Sequence, residues 1–212
     1  MKVLSVNVGR PREVTWRGQS YRTSIWKDPV AGPVEVRTLN IDGDEQSDLS
    51  VHGGRHKAVY AYPSEHYEKW AHELGVDLPR GAFGENLTIE GILEDDIRIG
   101  DRLRIGSVEF AVTQPRMPCF KLGIRFDRDD MVRRFLQSGR SGFYLAVIRE
   151  GSLAAGDAVT LGAAAEHDVT IADVAEVYAT GGDDQNLLRR VVAVPTLPEG
   201  LRQHFAKVLE RA

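Results

Sequence analysis

The sequence predicts a mainly β fold with a few helices, followed by a small C-terminal unit of three helices. Three observations carry that expectation. Short runs of alternating apolar residues recur through the first three quarters of the 212-residue chain, and most of its 21 glycines and 9 prolines fall between them. Beyond Ala163–His167 the apolar spacing changes to a period of 3.6 residues. A chain of this length can bury a core without disulfides or a structural metal.

The candidate strands are Lys2–Val8, Val34–Leu39, Ala58–Tyr62, Asp101–Ile105, Val108–Thr113 and Tyr144–Ile148, each bounded by Gly, Pro or Asp. Gly100–Gly106 and Gly156–Gly162 echo each other: a Gly-Asp turn, alternating apolar residues, then glycine. Two similarly built barrel strands explain that echo more simply than a functional repeat. Two helices interrupt the strands. Ser64–Gly75 has a capping serine, an inward face of Tyr67, Trp70, Ala71 and Leu74, and a terminating glycine. Asp130–Gln137 carries Met131, Val132, Phe135 and Leu136 at helical spacing.

The chain divides into residues 1–163 and 164–212. In the second part Thr170-Ile171-Ala172-Asp173 is an N-cap signature, and Ile171, Val174, Ala175 and Tyr178 follow at helical spacing. Gly181-Gly182 breaks that helix, Asp183 or Asp184 caps the next, and Pro195 and Pro198 end it. Leu201, Phe205, Val208 and Leu209 mark a third. Three short helices invite a DNA-binding reading, but residues 168–212 hold five basic side chains against seven acidic ones, a net −2. A DNA-binding unit needs a basic face to neutralise phosphates.

The whole chain carries −4, from 27 basic and 31 acidic residues, which argues against bulk affinity for nucleic acid or anionic lipid and leaves room for a local basic pocket. Met1–Arg10 alternates like a strand and lacks the apolar core of a signal peptide. No apolar run reaches bilayer length, and a single cysteine suits a reducing compartment. The expectation is a cytoplasmic protein with neither a membrane nor a nucleic-acid partner.

Cys119, the only cysteine, lies in Gln114-Pro115-Arg116-Met117-Pro118-Cys119-Phe120-Lys121-Leu122. Pro115 and Pro118 restrict the backbone around a short bend, so the sulfur is expected on a stiff loop. Arg116 and Lys121 place positive charge nearby, which favours a thiolate, and a thiolate is a nucleophile or a soft metal ligand. The plainer alternative is a small buried hydrophobe.

A second stretch, Gln46–Tyr60, runs through a glycine turn. Gly53 and Gly54 let backbone amides approach an anion, and Arg55, His56 and Lys57 add cationic donors, a combination that suits phosphate. A hairpin with a solvated charged tip fits equally well. His52 and His56 flank the glycines and need not converge, and no H-E-x-x-H or C-x-x-C pattern points to zinc. In a third stretch, Gly81–Thr88, Glu85 and Asn86 either brace a loop through backbone hydrogen bonds or face a ligand.

Taken in order, these stretches resemble the MOSC domain family, named for the C-terminal domain of molybdenum cofactor sulfurase, and within it the YiiM-like subgroup. The resemblance rests on Asp48-Leu49 with Val51-His52-Gly53-Gly54, Lys57-Ala58 with Tyr62-Pro63, and His66-Tyr67 with Trp70. It continues through Phe83-Gly84-Glu85-Asn86-Leu87, Gly100-Asp101, Gln114-Pro115-Arg116 with Pro118-Cys119, Lys121-Leu122, and Gly142 with Gly156. It spans nearly the whole chain, and the helical tail is similar to that subgroup's small helical domain.

The resemblance implies a MOSC-type β-barrel over residues 1–163 that holds molybdenum cofactor, a metal-dithiolene pterin bearing a phosphate. It also implies that Cys119 is a molybdenum ligand and the catalytic residue. His52, Gly53, Gly54, Arg55 and Lys57 would contact the pterin or phosphate, with Glu85, Asn86, Arg116 and Lys121 around the same pocket. The implied activity is reductive removal of oxygen from N-hydroxylated small molecules, such as hydroxylaminopurine-type bases or amidoximes, in a detoxifying role. Electrons would come from a separate reductase, since one cysteine cannot build a ferredoxin-type cluster and no G-x-G-x-x-G follows a strand. The alternative is a non-catalytic carrier of cofactor or sulfur on Cys119. Phe120 is expected in the core; facing the pocket, it would stack on a purine-like substrate. Whether the chain forms a homodimer stays open.

Overall fold

Lys2–Val8 is buried along most of its length, and this strand, β1, closes the fold. The computed structural model describes residues 1–47 and 53–211. Along them follow β2 (Arg12–Trp16), β3 (Gln19–Thr23), β4 (Asp28–Pro29), β5 (Val34–Arg37), β6 (Asn40–Ile41), a 3-10 turn (Arg55–Lys57), β7 (Val59–Pro63), helix α1 (Glu65–Leu74) and β8 (Leu87–Glu90). Next come β9 (Arg102–Ile105), β10 (Val108–Pro115), α2 (Phe120–Phe126), α3 (Met131–Ser138), β11 (Phe143–Arg149), β12 (Gly151–Leu153) and β13 (Val159–Leu161). The tail holds α4 (Ile171–Thr180), α5 (Gln185–Val192) and α6 (Glu199–Leu209).

The main sheet has the order β13-β9-β10-β11-β7-β8-β1-β4, with β7 and β8 its parallel pair. It curls until its ends meet. Val3 N donates to Asp157 O (2.9 Å), Gly156 N to Val3 O (2.8 Å) and Val159 N to Met1 O (3.1 Å), which joins β1 to the segment leading into β13. The barrel-like wall expected from the sequence results, and curling in this way leaves fewer unpaired edges. The two echoing segments are the neighbours β9 and β13, paired antiparallel with Leu161 opposite Leu103.

Inside the wall Val3, Val6, Leu103, Phe110 and Leu145 form one apolar cluster, and Ile171, Val174, Leu188 and Phe205 of the tail belong to it. The three helices thus pack onto the barrel's own core. Their ends follow the sequence signals. Thr170 and Asp173 complete a reciprocal capping box, Gly181 ends α4 at φ 72°, and Asp184 accepts from Asn186 N and Leu187 N. A second, aromatic cluster lies on the other side of the wall. Tyr62 stacks on Phe83 at 4.5 Å and Trp70 on Phe135 at 6.2 Å.

Two elements depart from expectation. The β2–β3 hairpin turns through Arg17 and Gly18, both at positive φ (50° and 76°), a mirror-image turn in which arginine gives no sequence signal. The stiff cysteine loop is shorter than expected: β10 runs to Pro115, and α2 begins directly after Cys119. Gly123 inside α2 hides that helix from propensity, yet the position requires it. A Cβ there would lie 2.9 Å from Arg128 O and 3.6 Å from the Trp16 ring.

Candidate active site

Cys119 ends the extended backbone that leaves β10 and caps the first turn of α2, so its side chain is fixed between a strand and a helix. It borders a cavity of about 620 Å³, open mouth included. One wall is Thr23, Ser24, Ile25 and Lys27, the chain between β3 and β4; another is Gly84 and Asn86, ahead of β8. Tyr60 of β7, Tyr144 of β11, Lys57 of the 3-10 turn and Asp44 complete the floor, with Arg116, Met117 and Lys121 beside the sulfur.

Backbone geometry brings these walls together. β1 pairs with β8 on one side and β4 on the other, which sets the 84–86 loop against the 25–27 segment. Asn86 ties them further: Tyr60 N donates to Asn86 Oδ1 (3.1 Å), and Asn86 Nδ2 donates to Asp44 Oδ2 (3.0 Å). Asp44 Oδ1 accepts from Gly9 N (2.8 Å) and from Lys27 Nζ, an ion pair whose side chains are 8% and 1% exposed. Burial lowers the Lys27 pKa, and the Asp44 charge offsets part of that.

Arg116 is buried, donates from Nη1 to Phe83 O, and lies 5.0 Å from the Tyr60 ring centre. Burial works against its charge, but Tyr60, Tyr144 and Cys119 outweigh it, so the net shift is upward. The Tyr60 and Tyr144 phenols are pushed up by burial and stay protonated; Tyr60 Oη donates to Ser141 O (2.7 Å). Burial lowers the Lys57 pKa while the charge on Cys119 opposes the shift. Lys121 Nζ donates to Ser47 Oγ at 3.1 Å. Among the described residues, four cationic side chains therefore face one carboxylate, and Ser24 Oγ on the same wall is buried with no partner. An anion rich in acceptors, with a soft atom for the sulfur, suits this lining.

Of the residues singled out from the sequence, Cys119, Lys57, Asn86, Arg116 and Lys121 line the cavity. Glu85 does not. Its fully buried carboxylate accepts from Gly81 N (2.9 Å), Phe83 N (3.1 Å), Thr88 Oγ1 (2.9 Å) and Tyr67 Oη, which braces the loop. Burial pushes the Glu85 carboxyl up, and these donors work against it. Gly53, Gly54 and Arg55 are likewise not among the lining residues, and His52 lies outside the described residues. Phe120 is not a core residue: it is 49% exposed and packs against Tyr21 at 5.4 Å, because it opens α2 on its outer side. Lys27, Asp44, Ser24, Tyr60 and Tyr144 were not expected at the site. Lys27 and Asp44 sit beside turn residues, where charge ordinarily means solvent.

Residues 48–160 match the MOSC domain family, and residues 169–212 match the YiiM-like, 3-alpha helix domain. YflK of Bacillus subtilis (strain 168) is 35% identical over 209 residues, 99% of this chain and 95% of that protein. The crystal structure of YiiM from Geobacillus stearothermophilus superposes with a TM-score of 0.83 at 34% identity, over 98% of each chain. A protein named reductase from Gibberella moniliformis (strain M3125 / FGSC 7600) is 30% identical over 91% of this chain, which spans 35% of that longer protein.

Proposed function

Because this chain belongs to the MOSC domain family and carries the YiiM-like three-helix domain, we propose that it is a molybdenum cofactor-dependent reductase of N-hydroxylated compounds. The observation that carries this reading is the cavity itself, lined by Cys119 with Lys27, Lys57, Arg116 and Lys121 and, among the described residues, Asp44 as the one carboxylate. Such a lining fits a sulfur-rich group bearing a phosphate: the thiolate is a soft donor, the ammonium and guanidinium groups match anionic oxygens, and Ser24 Oγ, without a partner among the described residues, has a hydrogen bond to offer. When bound, molybdenum cofactor supplies the two-electron chemistry that side chains alone lack.

The chain's own residues do the rest. Cys119 anchors the metal. Lys57, Lys121 and Arg116 hold the anionic parts of the group, and Asn86 keeps the Asp44 and Tyr60 walls at a fixed spacing. Lys27 and Tyr144 are proton-bearing side chains in the cavity lining, whereas Tyr60 Oη already donates its proton to Ser141 O. Overall R–NH–OH takes two electrons and two protons and gives R–NH2 and water; hydroxylaminopurine-type bases and amidoximes are the substrate classes. The electrons come from a separate reductase, because one cysteine builds no iron–sulfur cluster.

The test is turnover. Protein purified from a host that makes the cofactor, given a reduced viologen dye, is expected to convert benzamidoxime to benzamidine, and Cys119→Ser is expected to abolish this with an unchanged melting curve. Cofactor-loaded protein that hands its cofactor to another apoprotein and turns over no N-hydroxylated compound would establish the carrier reading instead.

A further inference from the structure

The mouth of the cavity is built by two stretches that also carry a surplus of positive charge. The β2–β3 hairpin leads directly into the Thr23–Lys27 wall, and α2 leads directly out of Cys119. The two are locked together: Trp16 Nε1 donates to Asp127 Oδ1 (3.0 Å), Arg17 Nη2 to Asp129 Oδ2 (3.3 Å), and Tyr21 packs on Phe120. Residues 10–26 and 117–134, which leave out the buried Lys27 and Arg116 of the cavity wall, together hold 9 basic side chains against 4 acidic ones, a net +5 in a chain that totals −4.

Two features of this rim favour a partner from outside. Arg12 and Arg125 both stack on Trp26, at 4.2 and 5.6 Å from the ring, so two like charges share one indole. The Arg125 pKa is lowered, by burial first and by Arg12 next, against the charges of Glu85, Tyr67 and Asp28, and its Nε is buried with no hydrogen-bond partner among the described residues. An external anion beside the two guanidinium groups would offset their mutual repulsion. Second, Phe120 presents an exposed aromatic edge one residue from the candidate metal ligand, with Tyr21 and Trp16 partly exposed behind it. Tryptophan, tyrosine and arginine are the residue types that dominate binding hot spots.

We propose that this rim docks the electron donor, and that the donor is a small acidic electron-carrier protein of the flavodoxin or ferredoxin kind. The inference rests on the reductase reading and names its partner. The natural donor must bring electrons close to the cavity, and a carboxylate-rich protein face complements the +5 rim, with one carboxylate seated beside Arg12 and Arg125. Opposite charge steers a brief encounter without needing a large interface, as electron-transfer complexes demand. Phe120 and Tyr21 then exclude water at the centre of the contact.

The experiment uses the cofactor-free chain, so that binding is read apart from turnover. 15N-labelled chain is titrated at low ionic strength with a flavodoxin and, separately, with a plant-type ferredoxin. Amide shifts in residues 12–26 and 120–128 are expected with at least one carrier, and their loss in about 0.5 M salt, where exposed charges are screened. Arg12→Glu/Arg22→Glu, two exposed arginines outside the cavity, is expected to weaken binding roughly tenfold or more. In the loaded enzyme the same variant raises the KM for the protein donor and leaves viologen-driven turnover unchanged. Shifts elsewhere, salt-insensitive binding, no shifts with either carrier, or an unchanged double variant would each overturn the docking surface. Failure of viologen-driven turnover in the unaltered, loaded protein overturns the reductase reading instead.

Discussion

Lys27 and Asp44 form an ion pair in the wall of the cavity, and both side chains are almost wholly buried there. Asp44 also holds Gly9 N and Asn86 Nδ2, so one carboxylate fastens three segments around the site. Removing one member of a buried pair leaves the other charged and desolvated, which costs about 3–5 kcal/mol. Lys27→Met is therefore expected to lose stability of about that size in urea unfolding, and Lys27→Met/Asp44→Asn to recover part of it. A loss below about 1 kcal/mol for the single variant would mean the pair is effectively solvated.

The same wall depends on a close backbone approach. Gly81 has φ 83°, and a Cβ there would lie 2.5 Å from Lys27 O. Gly75 also has positive φ (68°), but a Cβ there meets nothing within 4 Å. Gly81→Ala is expected to cost clearly more than Gly75→Ala, whose penalty is backbone strain alone at about 1 kcal/mol. Equal losses on unfolding would show that the 81–84 loop does not press on the Lys27 segment.

Glu85 makes its contribution from behind the cavity. Three donors meet its Oε1 and a fourth, Phe83 N, meets Oε2. In Glu85→Gln the amide nitrogen must face at least one of these donors whichever way it turns, so a loss of about 1–3 kcal/mol is expected. Faster hydrogen exchange at the Gly81 and Phe83 amides checks the cause. Unchanged exchange at both would contradict it.

How much of this was legible in the sequence varies with the kind of signal. Caps and breaks act locally, so Thr170, Gly181 and Asp184 announced the tail helices. The β9 and β13 echo was legible because paired barrel strands need the same alternation and the same glycine exits. Cys119 stood out through its chemistry. Lys27 and Asp44 did not, because their meeting depends on β1 pairing with β4 and on Gly9 reaching Asp44, both tertiary events. Glu85 and Asn86 are adjacent in sequence, yet one side chain turns into the loop and the other toward the cavity. Only the fold decides which.

The central claim is that the Cys119 sulfur bonds molybdenum, and X-ray absorption at the molybdenum edge tests it most directly. Protein loaded in a cofactor-making host is expected to hold about one metal per chain, and Cys119→Ser to show one fewer sulfur neighbour around that metal. Folded, active protein free of molybdenum, or a sulfur shell identical in the two proteins, would contradict the account.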